Sequence, residues 1–391
     1  MRAGRRIFGG TLALLCSSCG GAEDGSSRTV SVDTLATGTV RIRNPAEGAL
    51  GDQPWRAVEG LRIGAVESTG PNQFGQVWDV TVDALGRLYV LEGQTNQVRV
   101  FSADGDHVRT FGREGSGPGE LARPIGLEWG PDGNLWITDS GNRRYEVFDT
   151  TGVRLTSHPL STASFGFGNM LGSDGLVYEQ LMSRGAGTTR RTAIRRRLVE
   201  NELVDVDTVP VPTIPESETM EITTRSDRGS FTLDFPIPLA PRSLTAQGPD
   251  GAWWISDPGA DYRIVALNLE GDTVRIIERA YTPIEVTDAA WARALEGAPE
   301  GAEIPDDRRA AVHPAVRSLA PSAEGLLVSR QVTTDRVGYD VFDPDGRYLG
   351  ELQTDVALEG FRLFEWNGDA LYGSLRDELD VPYVVRLDIE R

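Results

Sequence analysis

The sequence predicts an all-β fold, a six-bladed β-propeller of four-stranded antiparallel blades. Three observations predict it. Apolar strands alternate with Asp/Gly turns along most of the chain. These turns recur in pairs at near-constant spacing. Gly and Pro are abundant, 45 and 22 of 391 residues, without the period of three of a collagen. Hydrophobic residues make up 39% of the chain, low but sufficient for a core. The formal charge is −19, from 39 basic and 58 acidic residues, and every basic residue is Arg. Such acidity argues against nucleic acid as a partner, because a phosphate backbone needs a basic face. Two cysteines cannot build a disulfide scaffold.

From the N-terminus, Arg2, Arg5 and Arg6 precede a short apolar run from Ile7 to Leu15. That run is too short to span a membrane and reads as an export signal, residues 1–18. Cys16-Ser17-Ser18-Cys19 resembles a bacterial lipobox, with small residues before the acceptor Cys19. Cys16 departs from the usual Leu, and the alternative is ordinary cleavage to a secreted protein. Arg5-Arg6-Ile7-Phe8 is a partial match to the twin-arginine export motif. Gly20 to Ser27 reads as a flexible tether, and residues 19–56 as tether plus N-terminal arm.

The propeller is expected over residues 57–391. Leu61–Gly70 parallels Val108–Gly117, which reads as an outer strand leading into a blade. Residues near 57–64 are therefore the outer strand of a blade whose other strands lie elsewhere. The last blade, Phe361 to Ile389, shows three strands, so the N-terminal strand completes it and closes the ring. Residues 28–45 are expected to add a further strand or arm to that same blade. The upstream tether is expected to leave from the face where the closing strand begins.

Six first turns stand at Gly86, Gly133, Gly175, Gly251, Gly325 and Gly368. Second turns at Gly105, Gly152, Gly271 and Gly346 follow four of them by 19, 19, 20 and 21 residues. One such unit cannot cover both faces of its own sheet, so copies stack. Unrelated hairpins in a sandwich would not keep this spacing. Asp139–Asp149, preceded by Phe111–Leu121, resembles the NHL repeat. The match is good in blades one and two, moderate in four and five, and weak in three and six. The whole resembles the exported, TolB-like propeller lipoproteins of bacteria. That resemblance implies the fold and says little about activity.

Inner strands run from a near face to a far face that carries the Asp/Gly turns. Three insertions, residues 182–191, 209–240 and 281–314, fall on the near face and mark it as the binding face. Thr287–Ala311 reads as one or two short helices, interrupted at Pro299 and Pro305.

Candidate chemistry is sparse. NHL-like amidating lyases hold a metal with several channel histidines. This chain has only His107, His158 and His313, and they read as surface residues, His313 alone near the channel mouth. Glu92, Asp139 and Asp257 each stand six residues after a first-turn Gly. Either they bind Ca²⁺, as in lactonase-type propellers, or each caps its own loop, which is the stronger reading. Arg242 and Arg317 begin the inner strands of blades four and five. Either they hold a carboxylate, sulfate or phosphate, or they pair with acidic neighbours. Trp78 and Asp79 occupy the matching place in blade one, where Trp78 stacks on a ligand or packs in the core. Arg190, Arg191 and Arg195–Arg197 read as a solvated strand paired with acidic surroundings. No nucleophile elbow, P-loop or dinucleotide fingerprint is present.

The function expected is a non-catalytic binding or scaffold module of the bacterial envelope, periplasmic or on the outer membrane. Its near face would take a small ligand, glycan or protein, and it would touch the membrane only through lipid on Cys19. No cofactor is expected, with Ca²⁺ left open. The alternative is a metal-dependent propeller enzyme of lactonase or lyase type.

Overall fold

The computed structural model describes residues 29–391 except 52, 66–69, 131, 162–163, 165–169, 186–187, 213–218, 227–228, 258, 260, 297, 299–301, 304–306, 308, 334–335 and 357–364. The export signal, Cys19 and the tether lie outside the described residues, as do Pro299 and Pro305. No described helix is long and apolar enough to cross a membrane.

The first described strands are β1 (Ser31–Thr34), β2 (Val40–Asn44) and β3 (Trp55–Ile63), which attach to blades formed later. Blade one is β4 (Val77–Val82), β5 (Leu88–Glu92), β6 (Gln97–Phe101) and β7 (His107–Phe111). Blade two is β8 (Pro124–Trp129), β9 (Leu135–Asp139), β10 (Arg144–Phe148) and β11 (Arg154–Pro159). Blade three is β12 (Met170–Leu171), β13 (Leu176–Gly185), β14 (Thr188–Val199) and β15 (Glu202–Pro210). A hairpin of β16 (Thr219–Ser226) and β17 (Gly229–Pro236) precedes blade four. That blade holds β18 (Thr245–Gln247), β19 (Trp253–Ser256), β20 (Arg263–Leu267) and β21 (Thr273–Arg279). Helix α1 (Asp288–Leu295) and β22 (Ala302–Glu303) lead to blade five, β23 (Ser318–Pro321), β24 (Leu326–Thr333), β25 (Arg336–Phe342) and β26 (Tyr348–Thr354). Blade six is β27 (Glu365–Asn367), β28 (Ala370–Arg376) and β29 (Pro382–Glu390), with β3 as its outer strand.

The turns are built as the spacing requires. At Gly86 φ is 74° and at Gly133 it is 72°, a left-handed backbone that favours Gly. The Asp83 carboxylate accepts from the Leu85 and Arg87 N–H groups, 2.9 Å each, and fixes the first of these turns.

The core is divided among the junctions between blades. Six of its clusters each join one neighbouring pair, in sequence around the ring. The last of them brings Ile63 of β3 and Val384 of β29 against Val80 and Leu88 of blade one. The ring is therefore closed, and β3 closes it: Val384 pairs with Ile63 and Glu390 with Arg56 in antiparallel register. The start of β3 also runs parallel to β26 through Trp55, Arg56 and Ala57, so blades five and six form one continuous sheet.

The N-terminal arm corrects two expectations. It does not lie on the last blade. Strand β2 runs parallel to β21 on the outer edge of blade four, and β1 folds back on β2, giving that blade six strands. The reason is the groove between blades four and five. There Ile42, 1% exposed, packs with Ile277, Tyr262 and Phe342. The Asn44 amide donates to the Gly346 and Glu278 carbonyls at 3.1 and 3.2 Å and accepts from Tyr348 N–H at 2.8 Å. The chain then returns along blade five, where a Cβ at Gly48 would stand 2.3 Å from the Leu349 carbonyl oxygen. Because Ser31 opposes Arg43, residue 31 stands at the near-face end of blade four and not at the far face.

Ile42→Ala should cost about 2–5 kcal/mol of stability by cavity formation, whereas Val32→Ala, at a half-exposed arm position, should stay within about 0.5 kcal/mol. Urea denaturation of the two variants checks this. Equal, small effects would mean that the arm is not docked in the groove.

Candidate functional site

The six inner strands surround a channel of about 1080 Å³. Trp78, Asp79, Glu128 and Arg317 are among its lining residues. Two of these carboxylates join the blades. Asp79 accepts from the Leu127 N–H of blade two at 2.8 Å, and Glu128 accepts from the Leu171 N–H of blade three at 2.6 Å. Trp78 lies against Gly93, where a Cβ would come within 1.8 Å of the indole, and packs beside the core between blades one and two.

The structure does not bring Glu92, Asp139 and Asp257 together. Glu92 is fully buried and accepts from the N–H groups of Gly75, Gln76 and Thr95 and from the Thr95 hydroxyl. Burial pushes its carboxyl up, but these donors outweigh burial and hold it below its ordinary value. Asp139 is likewise buried and accepts from Ala122 and Arg123 N–H and from the Asn142 amide at 2.6 Å. Asp257 accepts from Gly259 N–H at 2.8 Å and pairs with Arg263 at 3.3 Å. Each carboxylate thus fastens its own loop. Among the described residues no three His, Cys, Asp or Glu side chains are grouped to hold a metal.

Two of the three histidines are not on the surface. His158 is 2% exposed and stacks on Trp136, with ring centroids 4.8 Å apart. His313 is also 2% exposed, and neither ring nitrogen has a hydrogen-bond partner among the described residues. Position in the repeat placed both near loops, but neighbouring elements cover them. His107 is exposed. In the Arg-rich strand β14, Arg195 pairs with Asp207, and Arg196 pairs with Glu179 at 2.7 Å and Asp205 at 3.0 Å. The side chain of Arg190 lies outside the described residues.

The insertions before and after blade four fold together, which separate readings of the two segments could not show. β22 pairs with β16 through Thr223–Glu303 and Thr224–Ala302. Met220, Ile222, Ile237, Val286, Ala290 and Trp291 form a seventh small core over this platform. Thr287 caps α1 by accepting from Ala290 N–H. Between platform and propeller lies a cavity of about 370 Å³ that both Arg242 and Arg317 line, and Arg317 also borders the channel. The structure thus unites the two arginines proposed from sequence at one near-face cavity, apart from Trp78 and Asp79. Neither guanidinium has a carboxylate within ion-pair distance among the described residues. Arg317 donates to the Gln331 amide oxygen, and Gln331 is itself anchored to the Thr333 carbonyl at 2.7 Å. Partial desolvation pushes the Arg317 guanidinium below its ordinary value, and the charge of Arg242 pushes the same way.

With this geometry established, likeness to known proteins can be stated. Residues 66–187 match a family model described as a 6-bladed beta-propeller. NHL repeat-containing protein 3 of Homo sapiens is 29% identical over 85 residues, which is 21% of this chain and 24% of that protein. Its Mus musculus counterpart is 30% identical over 82 residues, 20% and 24%. The fold is a six-bladed β-propeller. The matched stretch spans about a quarter of the length of those curated relatives. Among solved structures, a catalytically inactive virginiamycin B lyase of Staphylococcus aureus with quinupristin aligns at 15% identity. It covers 85% of this chain and 98% of that one with a TM-score of 0.44. A presumed exported protein of Bacteroides fragilis aligns at 11% identity, 90% and 99% coverage and a TM-score of 0.45. Likeness at that level transfers no activity to the propeller.

Two measurements check this description. Asp139→Ala should cost about 1–3 kcal/mol through its orphaned loop donors, and added Ca²⁺ should not raise the melting temperature of the parent propeller. A Ca²⁺-dependent rise that the substitution abolishes would restore the metal reading. The second concerns pH. Burial, with Arg196 adding to it, pushes the His158 imidazole down, and burial with Arg317 does so for His313. The unfolded chain therefore takes up protons first, and stability should fall as pH drops below about 6.5. His158→Phe, which keeps the aromatic stack, should make that fall shallower in urea midpoints between pH 7.5 and 5. An unchanged slope would exclude His158 as a contributor.

Proposed function

We propose that this propeller is an exported, lipid-anchored binding module that takes a small ligand at its near face without transforming it. The cavity lined by Arg242 and Arg317 carries the reading. It lies where the inserted platform meets the channel mouth, and its two cationic side chains have no acidic partner among the described residues. The far face offers tight Asp/Gly turns of the kind seen at Asp83–Gly86. Support for the metal-enzyme alternative is weaker, because Glu92 and Asp139 are engaged by the backbone donors of their own loops. Export and lipidation rest on Arg2–Leu15 and the lipobox-like Cys16–Cys19. If Cys19 carries lipid, the tether reaches the fold beside the near face, since residue 31 stands there.

Metabolic labelling with an alkyne fatty acid should mark the parent chain, and Cys19→Ser should lose the label and move to the soluble fraction. Unchanged labelling would remove the anchor from the reading. A thermal-shift screen of organic acids, nucleotides and oligosaccharides should give stabilising ligands that Arg242→Glu weakens at least tenfold and that the far-face change Asp104→Ala leaves alone. The reverse pattern, or turnover of a lactone by the metal-supplemented protein, would overturn the binding reading.

A further inference from the structure

We infer that the near-face cavity accepts an amphipathic organic anion, with one anionic head between Arg242 and Arg317 and a compact apolar body against the inserted platform. The inference rests on the near-face binding reading and names its ligand class.

The head is set by charge. In a chain of net charge −19, many arginines have carboxylate partners, among them Arg196 with Glu179 at 2.7 Å, Arg154 with Glu146 at 2.6 Å and Arg330 with Asp340 at 2.8 Å. Arg242 and Arg317, both exposed, have none among the described residues and line one cavity together, where the charge of Arg242 acts against that of Arg317. An anion between them relieves that repulsion and gains charge-assisted hydrogen bonds. Gln331 holds the Arg317 fork in place before any ligand arrives, which lowers the cost of ordering it.

The body is set by the walls. Phe235, Ile237, Leu239, Ala294, Pro314 and Val316 present hydrocarbon to the cavity. A neutral sugar would find few polar partners on such walls, and inorganic phosphate would leave them uncovered. The volume of about 370 Å³ lies at the small end of the range usual for small-molecule sites, roughly 300–1,000 Å³. The walls are also stiff. Pro236, Pro238 and Pro241 restrict the segment, and Leu239 sits at φ 58° in a turn closed by Ala240 N–H to the Ile237 carbonyl. A bulky side chain is rarely held there, and such strain gathers at ligand-binding positions. With Gly at 239 the turn would form more easily, but the cavity would lose an apolar wall.

Titration calorimetry on the full mature protein tests this with octanoate, octyl phosphate, octanamide and inorganic phosphate. Octanoate or octyl phosphate should bind, and which of the two binds more tightly tells a carboxylate head from a phosphate head. Octanamide should bind at least tenfold more weakly, and inorganic phosphate should give no measurable heat. Arg242→Gln and Arg317→Gln should each weaken the anion about 10–100-fold with unchanged melting temperature, as expected for lost charged hydrogen bonds. Ala294→Trp, which fills the apolar side, should abolish binding while both arginines remain. Octanamide binding as well as octanoate, indifference to both Gln variants, or no binding by either octyl anion would overturn the inference. If a different ligand, such as an oligosaccharide, binds and Ala294→Trp blocks it, the near-face reading stands while the amphipathic anion falls. If no ligand responds to Ala294→Trp, both fall.

Discussion

Every blade of this protein depends on its neighbours for burial, and so the whole depends on closing the ring. A four-stranded antiparallel blade has two faces, and neither can be left to water if both carry apolar side chains. Six junction cores satisfy that requirement, and β3 adds Ile63 to the sixth as it completes the last blade. Without it, β29 would present an unpaired edge, and Val80 and Leu88 would lose the cover of Ile63. The arm extends the same logic outward. Ile42 and Asn44 fill the seam between blades four and five before the chain turns back to form β3.

Buried charge serves this architecture more than it serves chemistry. Asp340, fully buried, lies between Arg330 at 2.8 Å and Arg279 at 3.4 Å and accepts from the Tyr348 hydroxyl. Arg279 comes from blade four and the others from blade five, so the cluster fastens that junction. Burial, with the Asp340 charge adding to it, pushes the Tyr348 phenol up to about 12 and keeps it a donor. Asp79 and Glu128 do related work at the channel, each accepting from the next blade's backbone. Carboxylates repeated at equivalent positions resemble a ligand set, but they follow from repetition of a unit that must satisfy the same N–H groups each time.

The near-face platform departs from this pattern. It has its own core, joined by a strand pair between segments almost eighty residues apart, and it stands beside the propeller instead of within a blade. The cavity at its border combines cations that have no acidic partner among the described residues with stiff apolar walls. A purely structural seam would bring carboxylates or close-packed hydrocarbon there, as the other junctions do.

The sequence by itself determined the repeat, the number of blades, the turn glycines and the closing strand. All of these follow from local rules: positive φ at Gly, alternation along strands, and a spacing that only one stacked architecture uses. It also named Arg242 and Arg317, which the fold brings to one cavity. Only the tertiary structure decided where the arm docks, because the groove it fills belongs to blades more than two hundred residues away, and no local pattern encodes that distance. The same holds for the buried His158 and His313, whose cover comes from other elements. It holds most of all for the cavity, where residues 235–242 meet residues 294–317 because two insertions share one core.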